Sequence, residues 1–463
     1  MLQVASLREA LLTSPRLGQA TLWGINGSAL LANVARGSYL GSGLSTFAGR
    51  SVVLAARRQL TTALALIELD GLAQRITLCP RDLDSKQLSY VFDRAGAEAV
   101  VSDIAPPDGF SGEWVRIAYA PQSIPIKDSQ AKRCSTEWVL LTSGTTSAPK
   151  LVLHNFRTLT AAIKPVAEKD RVTWGTFYDI CRYGGLQVFL RVIIGGACFV
   201  LSEADEPVPE YLDRLACHGA THVLGTPTHW RRALMTSSMQ RIAPRYVRLS
   251  GEISDQAILD VLSGLYPGAV VAHAFASTEA GVGFAVNDGL EGFPASTLDL
   301  TRPSPQLKIE DGSIRLRSEG NALQYIGGSE LQLKDKDGFV DTGDAVELRD
   351  GRYYFLGRLS GVINVGGIKV YPEEVEGVIN SHPKVKMSVV RARKNPILGS
   401  IIVADVALRE PNEEQDGGTE IKTQIFDKCR AVLSKHKIPT AINFVPSITV
   451  GPTGKVLRHT IEA

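Results

Sequence analysis

The chain has 463 residues, 44% hydrophobic and 21% charged, an ordinary soluble composition that is long for one core and suits one large and one small domain. Against 50 Lys and Arg stand 48 Asp and Glu, a net charge of +2, so neither nucleic acid nor membrane insertion is indicated. The six cysteines (Cys79, Cys134, Cys181, Cys198, Cys217 and Cys429) form no C-x-x-C pair and read as reduced, mostly buried thiols of a cytoplasmic protein rather than a disulfide framework or a zinc site. The N-terminus lacks a basic region followed by an apolar core, so no secretory signal is expected.

Strand-like and helix-like runs alternate through the first 350 residues, the pattern of parallel strands with crossover helices. Residues 51–55 read as a strand followed by a helical stretch through Leu66, and 97–102 as a second short strand. Residues 138–141 and 151–153 are strand-like and flank a polar loop. The apolar stretch 192–201, interrupted by Gly195 and Gly196, is too short to span a bilayer and suits a buried strand. Residues 221–224 precede a turn at Pro227 and a helix from about His229 to Met235. Residues 269–272 read as a strand leading into a loop at Phe275. The short alternating runs 312–317 and 351–355 suggest a small antiparallel β subdomain.

After Gly357 the character changes. Residues 372–379 open a helix, with Pro in the first turn and carboxylates near the N-terminus. Residues 385–390 and 401–408 read as strands, and the polar run 410–419 as a surface loop. Ile421, Ile425, Cys429, Val432 and Leu433 fall on one helical face. The expected fold is α/β: a large N-terminal domain (residues 1–357) of mainly parallel sheets plus a small β subdomain, then a small mobile α+β C-terminal domain (residues 358–463).

The densest chemical signal is TSGTTSAPK at residues 142–150. Its hydroxyls and backbone N–H groups can donate to a polyphosphate, Gly144 lets the main chain approach closely, and Lys150 adds a cation. The usual P-loop spacing is absent, and a Ser/Thr-rich surface turn is the plain alternative. Four further segments follow in order: FASTE at 275–279, DTGD at 341–344 with Gly357-Arg358 beyond it, LSGVINVGGIKVYPEEVE at 359–376, and PTGKVLR at 452–458. Taken singly, these read as a strand end, an Asp-Gly turn, a hairpin turn and nothing in particular.

Together, and in this order, they resemble the adenylate-forming superfamily of acyl-CoA synthetases, peptide-synthetase adenylation domains and luciferases, and look closest to acyl- and aryl-CoA ligases. In the phosphate loop, Thr142, Ser143, Gly144, Thr145, Thr146, Pro149 and Lys150 match the family pattern, while Ser147 and Leu151 stand where Gly is usual and should stiffen the loop. The resemblance implies that Phe275 stacks on adenine, Thr278 bonds the α-phosphate and Glu279 helps hold Mg²⁺, an ion often bound by one or two carboxylates plus phosphates. It implies that Asp344 accepts from the ribose hydroxyls, with Arg358 beside it, and that Gly251-Glu252 belongs to the pocket and adenine wall. Gly366 and Gly367 would line the thiol channel, Ser360 stands where the lid pivots in many members, and Lys455 would be the adenylation lysine. Tyr178, Asp179 and Arg182 occupy the acid-pocket segment, and an inward-facing Arg182 would suit an acid with a second polar or anionic group. His154, His222, His229 and His273 are expected to be structural. The first 100 residues follow the family only in pattern and are shorter than usual, as if part of the N-terminal subdomain were trimmed.

The implied activity is ATP- and Mg²⁺-dependent activation of a small carboxylic acid through acyl-AMP, followed by thioester formation with coenzyme A. The alternatives are a stand-alone adenylation enzyme that loads a carrier protein, and a non-catalytic binder of nucleotide or acyl-AMP.

Overall fold

The computed structural model describes residues 6–14, 16–40, 44–125, 134–142, 148–164, 171–299, 301, 304–327, 332–395, 399–410, 413–451 and 455–456. Its largest sheet has eight strands, in the order Gly281–Val286, Val270–Ser277, Tyr246–Ser250, His222–Gly225, Thr173–Thr176, Cys198–Leu201, Thr21–Trp23 and Ser28–Leu30. Its interior pairings are parallel and only the two edge strands run antiparallel to their neighbours. A seven-stranded sheet runs Gln324–Ile326, Lys150–Asn155, Glu137–Thr142, Arg75–Leu78, Ser51–Leu54, Ala99–Ser102 and Glu113–Arg116, parallel except for its first two pairings. The chain is thus α/β, with a large N-terminal domain of mainly parallel sheets and a C-terminal domain.

Two helices lie between these sheets and explain why their sequences are apolar on every side. Gln59–Leu69 has ten of its eleven residues buried, and Tyr183–Gly195 is similarly enclosed. Both share one core with Leu22 and Phe199 of the larger sheet and Val52, Leu54, Ile76 and Leu78 of the other. A helix buried all round needs no polar face. Each fully buried Leu or Ile here contributes at most about 1.5–3 kcal/mol. The polar Gln59 is tied down: its Nε2 donates to the Ser202 carbonyl at 2.5 Å and its Oε1 accepts from Ile180 N at 2.9 Å. That pair of bonds fixes the 178–182 segment against the core.

An antiparallel five-stranded sheet, Phe293–Pro294, Arg352–Arg358, Val340–Arg349, Ser313–Arg317 and Gln306–Glu310, follows. Beyond it come the hairpin Ile363–Val365/Ile368–Val370 and a three-stranded sheet, Val385–Asn395, Gly399–Leu408 and Ala441–Phe444, with helices Pro372–Asn380 and Glu413–Val432. Val375, Ile379, Val390, Ala404, Ile421, Ile425 and Cys429 share its core. No helix among the described residues is long and apolar enough to cross a membrane.

Four local expectations need correction. The 192–201 stretch is not one strand: it is the end of the Tyr183–Gly195 helix, a two-residue link and the Cys198–Leu201 strand. In a fully enclosed helix the apolar run is continuous and carries no period to distinguish it. The helix placed at His229 begins at Pro227, because Thr226 caps it by accepting from His229 N at 3.0 Å and Pro is pre-set for the first turn. Phe275 lies on the Val270–Ser277 strand rather than in a loop, paired with Phe284 across a bulge. Most of the polar run 410–419 is the start of the Glu413–Val432 helix. Its two glycines cost about 1 kcal/mol each, which the buried face at Ile421, Ile425 and Cys429 outweighs.

Candidate active site

Four neighbouring parallel strands of the eight-stranded sheet end in segments that carry the polar chemistry. Thr173–Thr176 leads to Tyr178–Arg182, His222–Gly225 to Thr226–Thr228, Tyr246–Ser250 to Gly251-Glu252, and Val270–Ser277 to Thr278-Glu279. Crevices outside the carboxyl ends of parallel strands are where open α/β sheets bind ligands. The structure therefore gathers residues separated by more than 100 positions into one cleft.

Its wall is built by side chains bonding neighbouring strand ends together. Glu252 accepts from Thr228 N and Thr228 Oγ1, both at 3.0 Å. The Tyr178 hydroxyl donates to the Ser250 carbonyl at 2.8 Å, and burial pushes its pKa up. His229 stacks on Phe177 at 5.4 Å and is held neutral by burial, its pKa about 3. His154, His222 and His273 likewise bond to neighbouring protein groups.

From the antiparallel sheet, Asp344 faces this cleft beside Arg358, whose Nε stands 2.8 Å from its Oδ1. Burial raises the Asp344 pKa above the usual value, while Arg358 and Lys455 oppose the rise. Lys455 comes from the chain's tail. Its Cε lies 3.7 Å from where a β-carbon on Gly251 would stand, an ordinary van der Waals separation that places the side chain against this strand end. A short bridge between Val450 and Val456 and the bond Gly451 N to Lys455 O, 2.8 Å, hold the backbone at this point. Enclosure by the cleft, and then Arg358, lower the Lys455 pKa; Glu252 and Asp344 pull the other way. Lys455 is nevertheless exposed.

Phe275 is half-buried and packs against Phe355 and Phe284, with ring centroids 5.1 and 5.6 Å away. Thr142 and Lys150 pair directly as the last and first residues of adjacent strands, closing the base of the hydroxyl-rich loop. Ser143, Gly144, Thr145 and Thr146 lie outside the described residues, as does Arg458. Gly366 and Gly367 form a two-residue hairpin turn with φ of 58° and 87°. Positive φ at both positions is the requirement of such a turn and the reason both are glycine.

In the acid-pocket segment, Asp179 is taken up by structural contacts. It accepts from Cys181 N at 2.9 Å and stands 3.3 Å from the Arg81 guanidinium. Arg182 donates to both oxygens of Asp82, at 2.6 and 2.7 Å, and lies in the electrostatic environment of Lys455. Two further residues join the site without any motif to announce them. Buried His154, with a pKa lowered to about 4, is neutral; its Nε2 donates to the Thr278 carbonyl at 2.9 Å. Tyr325 lies beside Lys150 and Glu279. The weak sign of His154 in the sequence is its place four residues beyond Lys150; Tyr325 has none.

Among the described residues no three His, Cys, Asp or Glu side chains converge as a metal site. A half-buried Glu279 therefore fits a magnesium ion only if phosphate and water oxygens complete the shell, the usual arrangement for that ion.

The fold and cleft define an α/β protein of the adenylate-forming type. The chain belongs to the AMP-binding enzyme family, whose profile matches residues 52–321, with the family's C-terminal domain matching residues 374–455. It is 25% identical over 417 residues to 2-succinylbenzoate–CoA ligase of Geobacillus kaustophilus, covering 84% of this chain and 83% of that one. An uncharacterized acyl–CoA ligase of Bacillus subtilis is 25% identical over 72% of this chain and 66% of its own length. Among solved structures, an anthranilate CoA ligase in complex with anthranoyl-AMP superposes with a TM-score of 0.81 at 18% identity, over 98% of this chain and 96% of the other. The o-succinylbenzoate CoA synthetase of Bacillus subtilis gives 0.73 at 20%, over 98% and 97%.

Proposed function

We propose that the protein is an ATP- and Mg²⁺-dependent carboxylic acid–CoA ligase. The observation that carries this reading is the convergence of Lys455 with Gly251, Glu252, Asp344 and Arg358 in one cleft. Two anions, a carboxylate and the α-phosphate of ATP, must meet for acyl-AMP to form and pyrophosphate to leave. An ammonium at that meeting point offsets the charge that builds up. In this reading Thr142, Ser143, Gly144, Thr145, Thr146 and Lys150 hold the outer phosphates, Thr278 the α-phosphate, Phe275 the adenine, and Asp344 and Arg358 the ribose. Glu279 would ligate Mg²⁺, which when bound neutralises phosphate charge.

The same reading divides the chain into a body of residues 1–357 and a lid of 358–463. Rotation of the lid withdraws Lys455 and brings in the Gly366-Gly367 turn before a thiol attacks acyl-AMP. Coenzyme A is the favoured thiol, because the Geobacillus relative is named a CoA ligase and the uncharacterized Bacillus subtilis relative carries the same class of name. The acid is left open at 25% identity.

The test is acid-dependent exchange of labelled pyrophosphate into ATP across a diverse acid panel, followed by thioester formation with coenzyme A alone. No exchange with any acid returns the chain to a nucleotide binder. Exchange without CoA thioester points to a carrier-protein thiol.

A further inference from the structure

Thr278 stands in the short connection 278–280 between the strands Val270–Ser277 and Gly281–Val286. Buried main-chain carbonyls need partners, and all three in this connection accept from outside it. The Glu279 carbonyl accepts from Ala322 N at 2.9 Å, and the Ala280 carbonyl from Ser318 Oγ at 3.4 Å. The Thr278 carbonyl accepts from His154 Nε2 at 2.9 Å. A carbonyl oxygen can only accept, so this ring nitrogen carries a proton.

His154 belongs to the strand Lys150–Asn155, which leaves the hydroxyl-rich loop. Side chains four positions apart on a strand lie on the same face, so His154 shares its side of the strand with Lys150. That side looks toward the larger sheet, because Trp138, paired with His154, lies in the core between the two sheets. The imidazole is fully buried, and its other nitrogen, Nδ1, is 2.9 Å from Thr158 Oγ1. Thr158 is itself tied down in the first turn of the helix Phe156–Thr160. Its N–H donates to the Asn155 side chain at 2.9 Å, and its hydroxyl accepts from Asn155 N at 3.1 Å. Bonds at both nitrogens fix the orientation of the ring.

We infer that His154 is a positioning residue for the α-phosphate. It fastens the Thr278 backbone to the strand that begins at Lys150, so that the Thr278 hydroxyl and the Lys150 ammonium, from different sheets, keep one spacing along the phosphate chain. The imidazole does not touch nucleotide; it acts through Thr278. Without its donor the Thr278 carbonyl is left unpaired, and the connection shifts to find another partner and takes the hydroxyl with it. The assignment deepens the ATP-dependent reading above and rests on it.

The test uses the full chain and two ligands, AMP and adenosine, each titrated by calorimetry. They differ only in the phosphate that Thr278 bonds in this reading. His154→Asn keeps an amide near Thr158 but is too short for the Thr278 carbonyl. His154→Gln is one carbon longer and can carry its amide nitrogen to the place of Nε2. His154→Asn should bind AMP about tenfold more weakly, as expected when a phosphate hydrogen bond is moved out of place, and adenosine within about twofold of wild type. His154→Gln should recover AMP binding to within about threefold. Added to Thr278→Val, His154→Asn should weaken AMP binding no further, because its effect passes through that hydroxyl. If His154→Asn does not fold, His154→Met, which fills the space without a donor, takes its place in every comparison. Unchanged AMP affinity in that variant, equal loss of AMP and adenosine, no recovery in His154→Gln, or full additivity with Thr278→Val overturns the inference. Wild-type protein that binds AMP no more tightly than adenosine instead overturns the reading beneath it.

Discussion

Replacing Lys455 by Ala removes an ammonium that reaches the cleft from the far end of the chain. The side chain lies against Gly251 and within electrostatic range of Glu252 and Asp344, and the proposed reading places both reacting anions there. A unit charge pair at about 4 Å in a partly solvated cleft interacts by about 4 kcal/mol. At 1.36 kcal/mol per decade this is roughly a 10³-fold loss in the rate of adenylation. The assay is pyrophosphate exchange for the first half-reaction and thioester formation from supplied acyl-AMP for the second. Exchange should fall by about three decades while the second step stays within a few-fold of wild type, since the role proposed for Lys455 ends with adenylation. The pH dependence gives an independent check. The active form is the ammonium, and its pKa is lowered below 10.5, so activity is lost as pH rises, earlier than for an ordinary lysine. Lys455→Arg, which stays charged, should move that alkaline limb upward. Equal loss of both half-reactions in Lys455→Ala, or an unchanged exchange rate, refutes the reasoning.

Three further outcomes follow from particular contacts. Gly367 has φ of 87°, so Gly367→Val strains the hairpin by about 1–2 kcal/mol and should slow thioester formation about tenfold with exchange unaffected; a uniform loss counts against the channel role. Arg182→Leu frees Asp82 and should lower kcat/KM for the preferred acid in the exchange assay without changing KM for ATP; unchanged kinetics dismiss it as a pocket residue. Asp70 accepts from Leu7 N at 2.7 Å and Trp138 Nε1 at 3.1 Å, and burial pushes its pKa from 3.8 up to about 7. A raised carboxyl pKa favours the folded state at low pH and loses that benefit as pH rises through about 7. Between pH 5 and 7, wild type should therefore lose about 2–3 kcal/mol more stability than Asp70→Asn, measured by urea unfolding at each pH; parallel curves would refute this.

Composition, the alternation of apolar runs and five short segments in a set order were enough to read the α/β class and to propose the site residues, because those segments keep their chemistry in consecutive positions. The 275–279 and 341–344 runs are legible in that way. Assignments failed where the environment rather than the local sequence chose the state. The enclosed helix Tyr183–Gly195 has no polar face to mark its period, and the helix Glu413–Val432 begins with residues that favour a loop.

What only the tertiary structure decided is which distant side chains meet. Asp179 carries the charge of a pocket residue but is bound to Arg81, nearly 100 positions earlier, and Arg182 is turned to Asp82 in the same way. Tyr325 carries no recognisable signal and His154 only its place four residues beyond Lys150, and they stand at the cleft only because an edge strand and a buried imidazole are packed beside Lys150 and the Thr278-Glu279 segment. Local sequence specifies chemistry and backbone preference over a few residues. Proximity across a sheet or between domains depends on how the whole core packs, and that is settled only when every element is in place.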